Sequence, residues 1–141
     1  MSQENVEQAR EAVVAVNETY RTGDLAPWRR HVERSFDPEV VLEFGRGTFT
    51  EGEWRGLKGA IGFVGNQMEV LEGMWIRADD FIDVDDECLV VALTFGGQAR
   101  HTGIDVQLSP VHVFRLRDGR VIRWQIFQTR EEALEAAGLS A

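Results

Sequence analysis

The spacing of the apolar residues changes near Trp75, and this change limits the fold more than any other feature of the sequence. Before that point apolar residues recur three and four positions apart, which is typical of amphipathic helices. The clearest such stripe consists of Val6, Ala9, Val13, Val16 and Tyr20. After that point the pattern indicates β-strands separated by turns. Helices that precede a run of strands favour an α+β protein over an alternating parallel fold.

The order of the predicted elements is three helices around one strand, then antiparallel strands and a helical tail. The first helix ends at Gly23, the second begins near Pro27, and a strand follows at residues 40–44. The third helix presents Ile61, Val64, Met68 and Leu71 on one side. The later strands are predicted at residues 75–83, 88–95, 104–117 and 120–128. A capping box at residues 129–132 begins the last helix.

Length and charge set limits on the partners of this chain. Its 141 residues are the size of one ordinary domain. The net charge of −9 argues against a general affinity for nucleic acid or for anionic membranes. The first residues lack an apolar secretory core, and no apolar run approaches the roughly 20 residues of a membrane span. We therefore expect a cytoplasmic protein whose single Cys88 forms no internal disulfide.

The sequence contains no recognisable metal or nucleotide motif. The three histidines, His31, His101 and His112, show neither HxH nor HExxH spacing. The acidic stretch at residues 79–87 lacks the glycine and the spacing of a calcium-binding loop. No glycine-rich phosphate loop leads from a strand into a helix. We therefore expect no metal and no cofactor.

The register of the last hairpin can be argued from its two faces. A two-residue turn at Asp118-Gly119 would place arginines on both faces, whereas a type I turn with a glycine bulge pairs His112 with Trp124. The bulged register places His112, Phe114, Leu116, Ile122, Trp124 and Ile126 on one apolar face. A slip of one residue would exchange the two faces, so we predict the bulged register.

The opposite face of that hairpin predicts a homodimer. It carries Val111, Val113 and Val121 among arginines. A monomer would leave such an amphipathic surface partly exposed, and a second copy of the chain would cover it.

Five phrases, spread over almost the whole chain, carry a resemblance to a known family. They are Thr22-Gly23-Asp24-Leu25, Phe36-Asp37-Pro38-Glu39-Val40, Trp54-Arg55-Gly56, the stretch from Arg117 to Ile122 and the stretch from Arg130 to Leu139. Their order and spacing resemble the SnoaL-like branch of the nuclear-transport-factor-2-like superfamily. The resemblance implies one domain over residues 1–141, dimers, and an α+β cone in which a bent antiparallel sheet wraps the long first helix and leaves an apolar pocket.

Only some of the catalytic positions of that superfamily carry a functional side chain in this sequence. The general base of the ketosteroid isomerases falls at Glu43, and their oxyanion-donating acid falls at His112. Their oxyanion tyrosine falls at Val16, and the acid/base residue of the polyketide cyclases falls at Ile126. The Asp–Arg–Asp set of the epoxide hydrolases has no counterpart. If the chain is an enzyme, we therefore expect Glu43 as a base and His112 as a hydrogen-bond donor, with Gln128 as an orienting group.

Both candidates have a structural alternative. Val40, Leu42 and Phe44 alternate along the strand and share one face, and Val41 and Glu43 share the other. This pattern alone sends Glu43 to the opposite face, whereas the resemblance places it inside the pocket. His112 lies on the apolar face of its strand, where it is either a core histidine or a donor in the pocket.

The tryptophans suggest what the pocket holds. Trp28, on the second helix, and Trp124, on the last strand, are its best aromatic candidates. The full set of predicted substrate-binding residues is Trp28, Trp54, Phe114, Trp124, Ile126 and Gln128. Aromatic walls with few polar groups suit a small apolar or aromatic molecule.

Two functions follow as hypotheses from this pocket. One is a cofactor-independent acid–base enzyme of the isomerase, cyclase or hydrolase kind, and the alternative is a non-catalytic small-molecule-binding protein. A protein-interaction domain is a third option, and it would need side chains that fill the mouth of the pocket. Two ionisable side chains that converge inside the pocket would favour the enzyme.

Overall fold

The computed structural model describes residues 2–44 and 53–139 of the chain. The helices are α1 (Ser2–Thr22), α2 (Ala26–Ser35), α3 (Gly56–Val70) and α4 (Arg130–Ala136). The strands are β1 (Phe36–Phe44), β2 (Glu53–Arg55), β3 (Leu71–Asp85), β4 (Cys88–Ala99), β5 (Asp105–Leu108), β6 (Val111–Arg117) and β7 (Arg120–Phe127). No helix of these two described stretches is long and apolar enough to cross a membrane.

The strands form one curved, open sheet in the order β2-β1-β7-β6-β4-β3, and β5 adds to β4. The long α1 packs against this sheet, so the α+β class is confirmed. The sheet is mixed, because β1 runs parallel to β7 while the other described pairs are antiparallel. The chain between β1 and β7 is long enough for the crossover that a parallel pair requires.

Asn17 joins α1 to the sheet at an edge strand. Its Nδ2 donates to the carbonyl oxygen of Ile76 at 2.8 Å, and the Ile76 amide donates to its Oδ1 at 2.8 Å. Ile76 belongs to β3, which is the last strand in the sheet order. The side-chain amide therefore satisfies backbone groups that an edge strand would otherwise present to solvent.

The predicted register of the last hairpin is wrong. Asp118 and Gly119 have φ of 53° and 77°, which is the geometry of a two-residue type I′ turn. Leu116 pairs with Val121, and the register then shifts by one residue at Ile122. The bulge therefore lies inside β7 instead of in the turn.

The bulge restores most of the predicted face. Phe114 lies opposite Trp124, and His112 lies opposite Ile126 instead of Trp124. These four side chains still line one cavity. Val121 also lines the cavity, because this residue, just before the bulge, points to the inner face of the sheet.

The outer surface on which the dimer prediction depended is not exposed. Val111 and Val113 are buried in a second cluster, where they pack with Ala133 and Ala137 at α4. Val121 faces the main core. The short last helix covers Val111 and Val113, which a second copy was expected to cover, so the homodimer stays a prediction of the family resemblance alone.

The strand predicted at residues 104–117 consists of two strands, β5 and β6. Ser109 and Pro110 separate them, and a proline has no amide hydrogen to donate to a ladder. The Pro110 carbonyl instead accepts from the Leu93 amide at 3.0 Å. The break allows β5 and β6 to pair with different parts of β4.

Candidate functional site

A cavity of about 580 Å³ lies between the helices and the inner face of the sheet. Its aromatic lining consists of Tyr20, Trp28, His31, Phe36, Phe44, Phe63, Phe95, His112, Phe114, Trp124 and Phe127. Its other polar residues are Asn5, Gln8, Gln67, Ser109 and Gln128. Among the described residues that line it, none carries a carboxylate, an ammonium or a guanidinium group. The site is thus aromatic, uncharged and sparsely polar.

Two tryptophans form the centre of this lining. The rings of Trp28 and Trp124 meet edge to face with centroids 6.0 Å apart, and Phe114 stacks on Trp124 at 5.6 Å. Trp28 is fixed by its own hydrogen bonds. Its Nε1 donates to the Ala60 carbonyl at 3.0 Å, and its backbone amide donates to Thr19 Oγ1 at 3.0 Å. Trp28 therefore offers only its apolar ring surface to a ligand.

His112 is held by the second tryptophan. Trp124 Nε1 donates a hydrogen bond to His112 Nδ1 at 2.9 Å. An indole nitrogen can only donate, so this Nδ1 carries no proton. The neutral imidazole then carries its proton on Nε2. Within the described part of the chain, Nε2 has no hydrogen-bond partner, so its N–H is available to a molecule in the cavity.

Burial keeps this imidazole neutral. His112 is 7 % exposed, and burial lowers its pKa to about 3. The cavity lining supplies no described carboxylate that would stabilise an imidazolium. At neutral pH, His112 is therefore a hydrogen-bond donor with a fixed tautomer and a very weak base.

Glu43 lies outside the cavity, which corrects the pairing that the resemblance implied. Leu42 and Phe44 lie beside Trp124 and Ile126, so Glu43, between them, points to the opposite face. There Arg123 binds its carboxylate through two bonds, from Nε at 2.5 Å and from a terminal nitrogen at 3.0 Å. The structure does not bring Glu43 and His112 together, and the alternation of apolar residues indicated the face correctly.

Trp54 also lies away from the cavity, although it was predicted to bind substrate. It packs edge-on against Phe63, with ring centroids 6.2 Å apart, and Phe63 lines the cavity in its place. Gly59 lies so close to Trp54 that an added Cβ would be 3.0 Å from its backbone carbonyl carbon. Trp54 therefore supports the wall of the cavity from behind.

The other predicted binding residues line the cavity as expected. Trp28, Phe114, Trp124 and Ile126 contribute side chains to its interior wall. Gln128 follows the end of β7, is exposed and also lines the cavity, so it lies at the rim. An orienting role beside Glu43 is excluded by the position of that carboxylate.

Sequence reasoning missed two ionisable lining residues. Tyr20 lies one helical turn after Val16 on the same stripe of α1, and burial raises the pKa of its phenol. His31, on α2, is 2 % exposed and stacks on Trp28 with centroids 5.6 Å apart. Burial and then the charge of Arg34 lower the pKa of His31 to about 4. The spacing of Tyr20 from Val16 was the signal that could have revealed the first of them.

Within residues 2–44 and 53–139, no group of three or more His, Cys, Asp or Glu side chains could hold a metal ion. The cavity contributes two imidazoles and one phenol, and the carboxylates of the described residues lie outside its lining.

Comparison with known proteins gives a family and a set of similar folds. The model of the SnoaL-like domain family matches residues 13–124. An NTF2-like protein of unknown function from Burkholderia pseudomallei is 24% identical, with a TM-score of 0.69 and coverage of 94% of this chain and 95% of that one. A proposed SnoaL-like polyketide cyclase from Jannaschia is 22% identical, with a TM-score of 0.68 and coverage of 96% and 91%. TerC, crystallised with polyporic acid, is 23% identical, with a TM-score of 0.66 and coverage of 94% and 96%. No curated protein matches the sequence significantly.

Proposed function

The chain belongs to the SnoaL-like domain family, and we propose that it binds a small, uncharged, mainly aromatic molecule in its cavity. The observation that supports this most strongly is the oriented imidazole of His112 in an aromatic lining. Trp124 occupies Nδ1, so the Nε2–H donates to an acceptor on the ligand, such as a carbonyl oxygen. The remaining affinity comes from burial of apolar surface against the rings.

The absence of charge in the described lining favours an uncharged ligand. An ion transferred from water into such a site loses its hydration and gains no opposite charge. A carbonyl loses much less, and the His112 donor replaces part of its lost hydrogen bonding. The cavity of about 580 Å³ accommodates a molecule of two or three rings.

A related structure supports the binding of a small molecule by a protein of this fold. TerC, which shares this fold, was crystallised with polyporic acid. In this chain, the aromatic lining of the cavity suits a flat ring system.

A second candidate is an acid–base enzyme of the isomerase, cyclase or hydrolase kind. Its support is that three ionisable side chains, Tyr20, His31 and His112, line the same cavity. The direction of their pKa shifts favours binding over proton abstraction, because both imidazoles are weak bases. A turnover mechanism would use these groups as hydrogen-bond donors to an oxyanion.

The test compares two probes that differ only by a methylene group in place of a carbonyl group, 4-ethylbiphenyl and 4-acetylbiphenyl. Tryptophan fluorescence of the full chain reports their binding. We expect saturable binding of both, and an affinity about fivefold higher for the ketone from its hydrogen bond. In H112F this difference between the probes should disappear while 4-ethylbiphenyl still binds. Failure of the wild-type protein to bind either probe would refute the proposal.

A further inference from the structure

Asn5, near the start of α1, contributes a buried amide to the lining of the cavity. The side chain lines the cavity, and the residue is only 5 % exposed. Its Nδ2 donates to the backbone carbonyl of Asp86 at 2.9 Å. A carbonyl oxygen can only accept, so this bond identifies which end of the amide carries the nitrogen. The amide therefore has a fixed orientation, and its Oδ1 is left for another partner.

The Oδ1 of Asn5 is an unused acceptor. It accepts no hydrogen bond from the part of the chain that the structure describes. It also remains accessible, because His31 Nδ1 is the only described side-chain nitrogen or oxygen that is both sealed from solvent and unpartnered. Polar atoms of buried side chains nearly always have a partner. A molecule in the cavity that Asn5 lines can supply the missing donor.

Asn5 and His112 occupy different levels of the cavity. Asp86, to which Asn5 is bonded, lies in the turn between β3 and β4, and β4 begins at Cys88. His112 pairs with Val91, which lies three residues further along β4. Three residues of a strand span about 10 Å, so the two polar positions are distinct. Their chemistry is also opposite, because His112 Nε2 donates and Asn5 Oδ1 accepts.

Building on the proposed function, we propose that Asn5 selects ligands that carry a hydrogen-bond donor on their ring system. The donor is an N–H or O–H group, and it bonds to Asn5 Oδ1 at the end of the cavity beside the β3–β4 turn. A ligand without such a group displaces water from this oxygen and leaves it unsatisfied, which costs affinity. The ligand class is therefore an uncharged, flat aromatic molecule with a donor, such as an N–H heteroaromatic.

The experiment compares carbazole with fluorene. Both are flat, uncharged molecules of three fused rings, and they differ only by an N–H group in place of a methylene group. The carbazole nitrogen donates and is a very poor acceptor, so His112 Nε2 cannot bind it. Equilibrium dialysis with the full chain measures both affinities. We expect carbazole to bind about fivefold more tightly than fluorene.

Two matched variants assign this preference to one residue. N5L removes the acceptor, and carbazole should then bind no more tightly than fluorene. N17L is the control, because Asn17 is also on α1 and its Nδ2 also donates to a backbone carbonyl of the sheet, that of Ile76 at 2.8 Å. Asn17 is outside the described lining of the cavity. N17L should therefore retain the preference for carbazole.

A measurement on the wild-type protein makes the test independent of how N5L folds. NMR of the side-chain amides should show that the Asn5 signals shift more with carbazole than with fluorene. Equal affinities in the wild type, equal shifts of the Asn5 signals, a preference that survives in N5L, or one that N17L removes as well would overturn the inference. If fluorene binds, such results leave the proposed function standing, whereas failure of both probes to bind overturns both.

Discussion

Trp124 and His112, on neighbouring antiparallel strands, are joined by a hydrogen bond of 2.9 Å from the indole Nε1 to the imidazole Nδ1. They are not directly opposite each other, because His112 pairs with Ile126 and Trp124 pairs with Phe114. The bond is therefore a diagonal one within the inner face of the sheet. It fixes both the orientation and the tautomer of the only imidazole that the proposed function uses directly.

The first prediction concerns the variant W124F. Its ring fills much of the same space, but it cannot donate to Nδ1. Because the indole bond stabilises the neutral imidazole, its loss should raise the pKa of His112 by about one unit. A pH titration of the histidine side chains by NMR measures this shift. An unchanged pKa in a folded W124F would show that the bond has no effect on the protonation state.

The second prediction concerns stability in acid. The pKa of His112 is about 3 when folded, below the ordinary value of 6.5, so the unfolded chain binds the proton first. Its contribution to folding is complete above about pH 6.5 and is lost as the pH falls from there toward 3. This group alone should lower the free energy of unfolding by about 2 kcal/mol between pH 7 and pH 5.

Urea denaturation of wild type and H112F at both pH values isolates that contribution. The carboxylates act in both proteins, so their effects cancel in the difference. H112F should be less stable at pH 7, because Trp124 loses its acceptor, and it should lose about 2 kcal/mol less than wild type on going to pH 5. Equal acid sensitivity of the two proteins would be inconsistent with a buried neutral His112.

The third prediction concerns Glu43. Its carboxylate is paired with Arg123 on the outer face, and its side chain is 30 % exposed. E43Q should therefore leave the affinity for 4-acetylbiphenyl within twofold of wild type and should lower stability by at most about 1 kcal/mol. H112F serves as the matched variant that does lower the affinity. Loss of binding in a folded E43Q would place Glu43 back among the functional residues.

The fourth prediction compares two glycines of α3. A Cβ at Gly59 would lie 3.0 Å from the Trp54 backbone, whereas a Cβ at Gly62 would lie 3.6 Å from the edge of the Trp54 ring. Alanine favours the helix at both positions by about 1 kcal/mol. G62A should therefore be stabilising, and G59A should be less stable than G62A by about 1–2 kcal/mol because of the close contact. Thermal or urea unfolding decides this, and equal stability would contradict the position of Trp54 behind the cavity wall.

Much of the fold was predictable because its signals are local. The stripe on α1 and the order of the elements follow from spacing within short segments. The hairpin shows the limit of such signals. A bulge in the turn and a bulge at Ile122 both place Phe114 and Trp124 on one face, so face composition cannot distinguish the two. The type I′ preference of Asp118-Gly119 was the stronger physical signal.

The candidate site was predictable where one face of a single helix or strand determines it. His112, Trp124 and Ile126 follow from strand alternation. The cover that α4 provides over Val113 depends on how distant segments pack, which a local pattern does not contain. Tyr20 was assigned to the apolar stripe of the first helix, but the place of Tyr20 and His31 in the cavity lining depends on the path of α1 and α2 across the sheet.

The most direct test of the proposed function is a crystal structure of the protein with 4-acetylbiphenyl. We predict that the rings of the probe lie in the cavity against Trp28 and Trp124. Its carbonyl oxygen should lie about 2.7–3.2 Å from His112 Nε2, the range of an N–H···O hydrogen bond. A probe bound outside the cavity, or bound inside it with no polar atom near His112, would contradict the account.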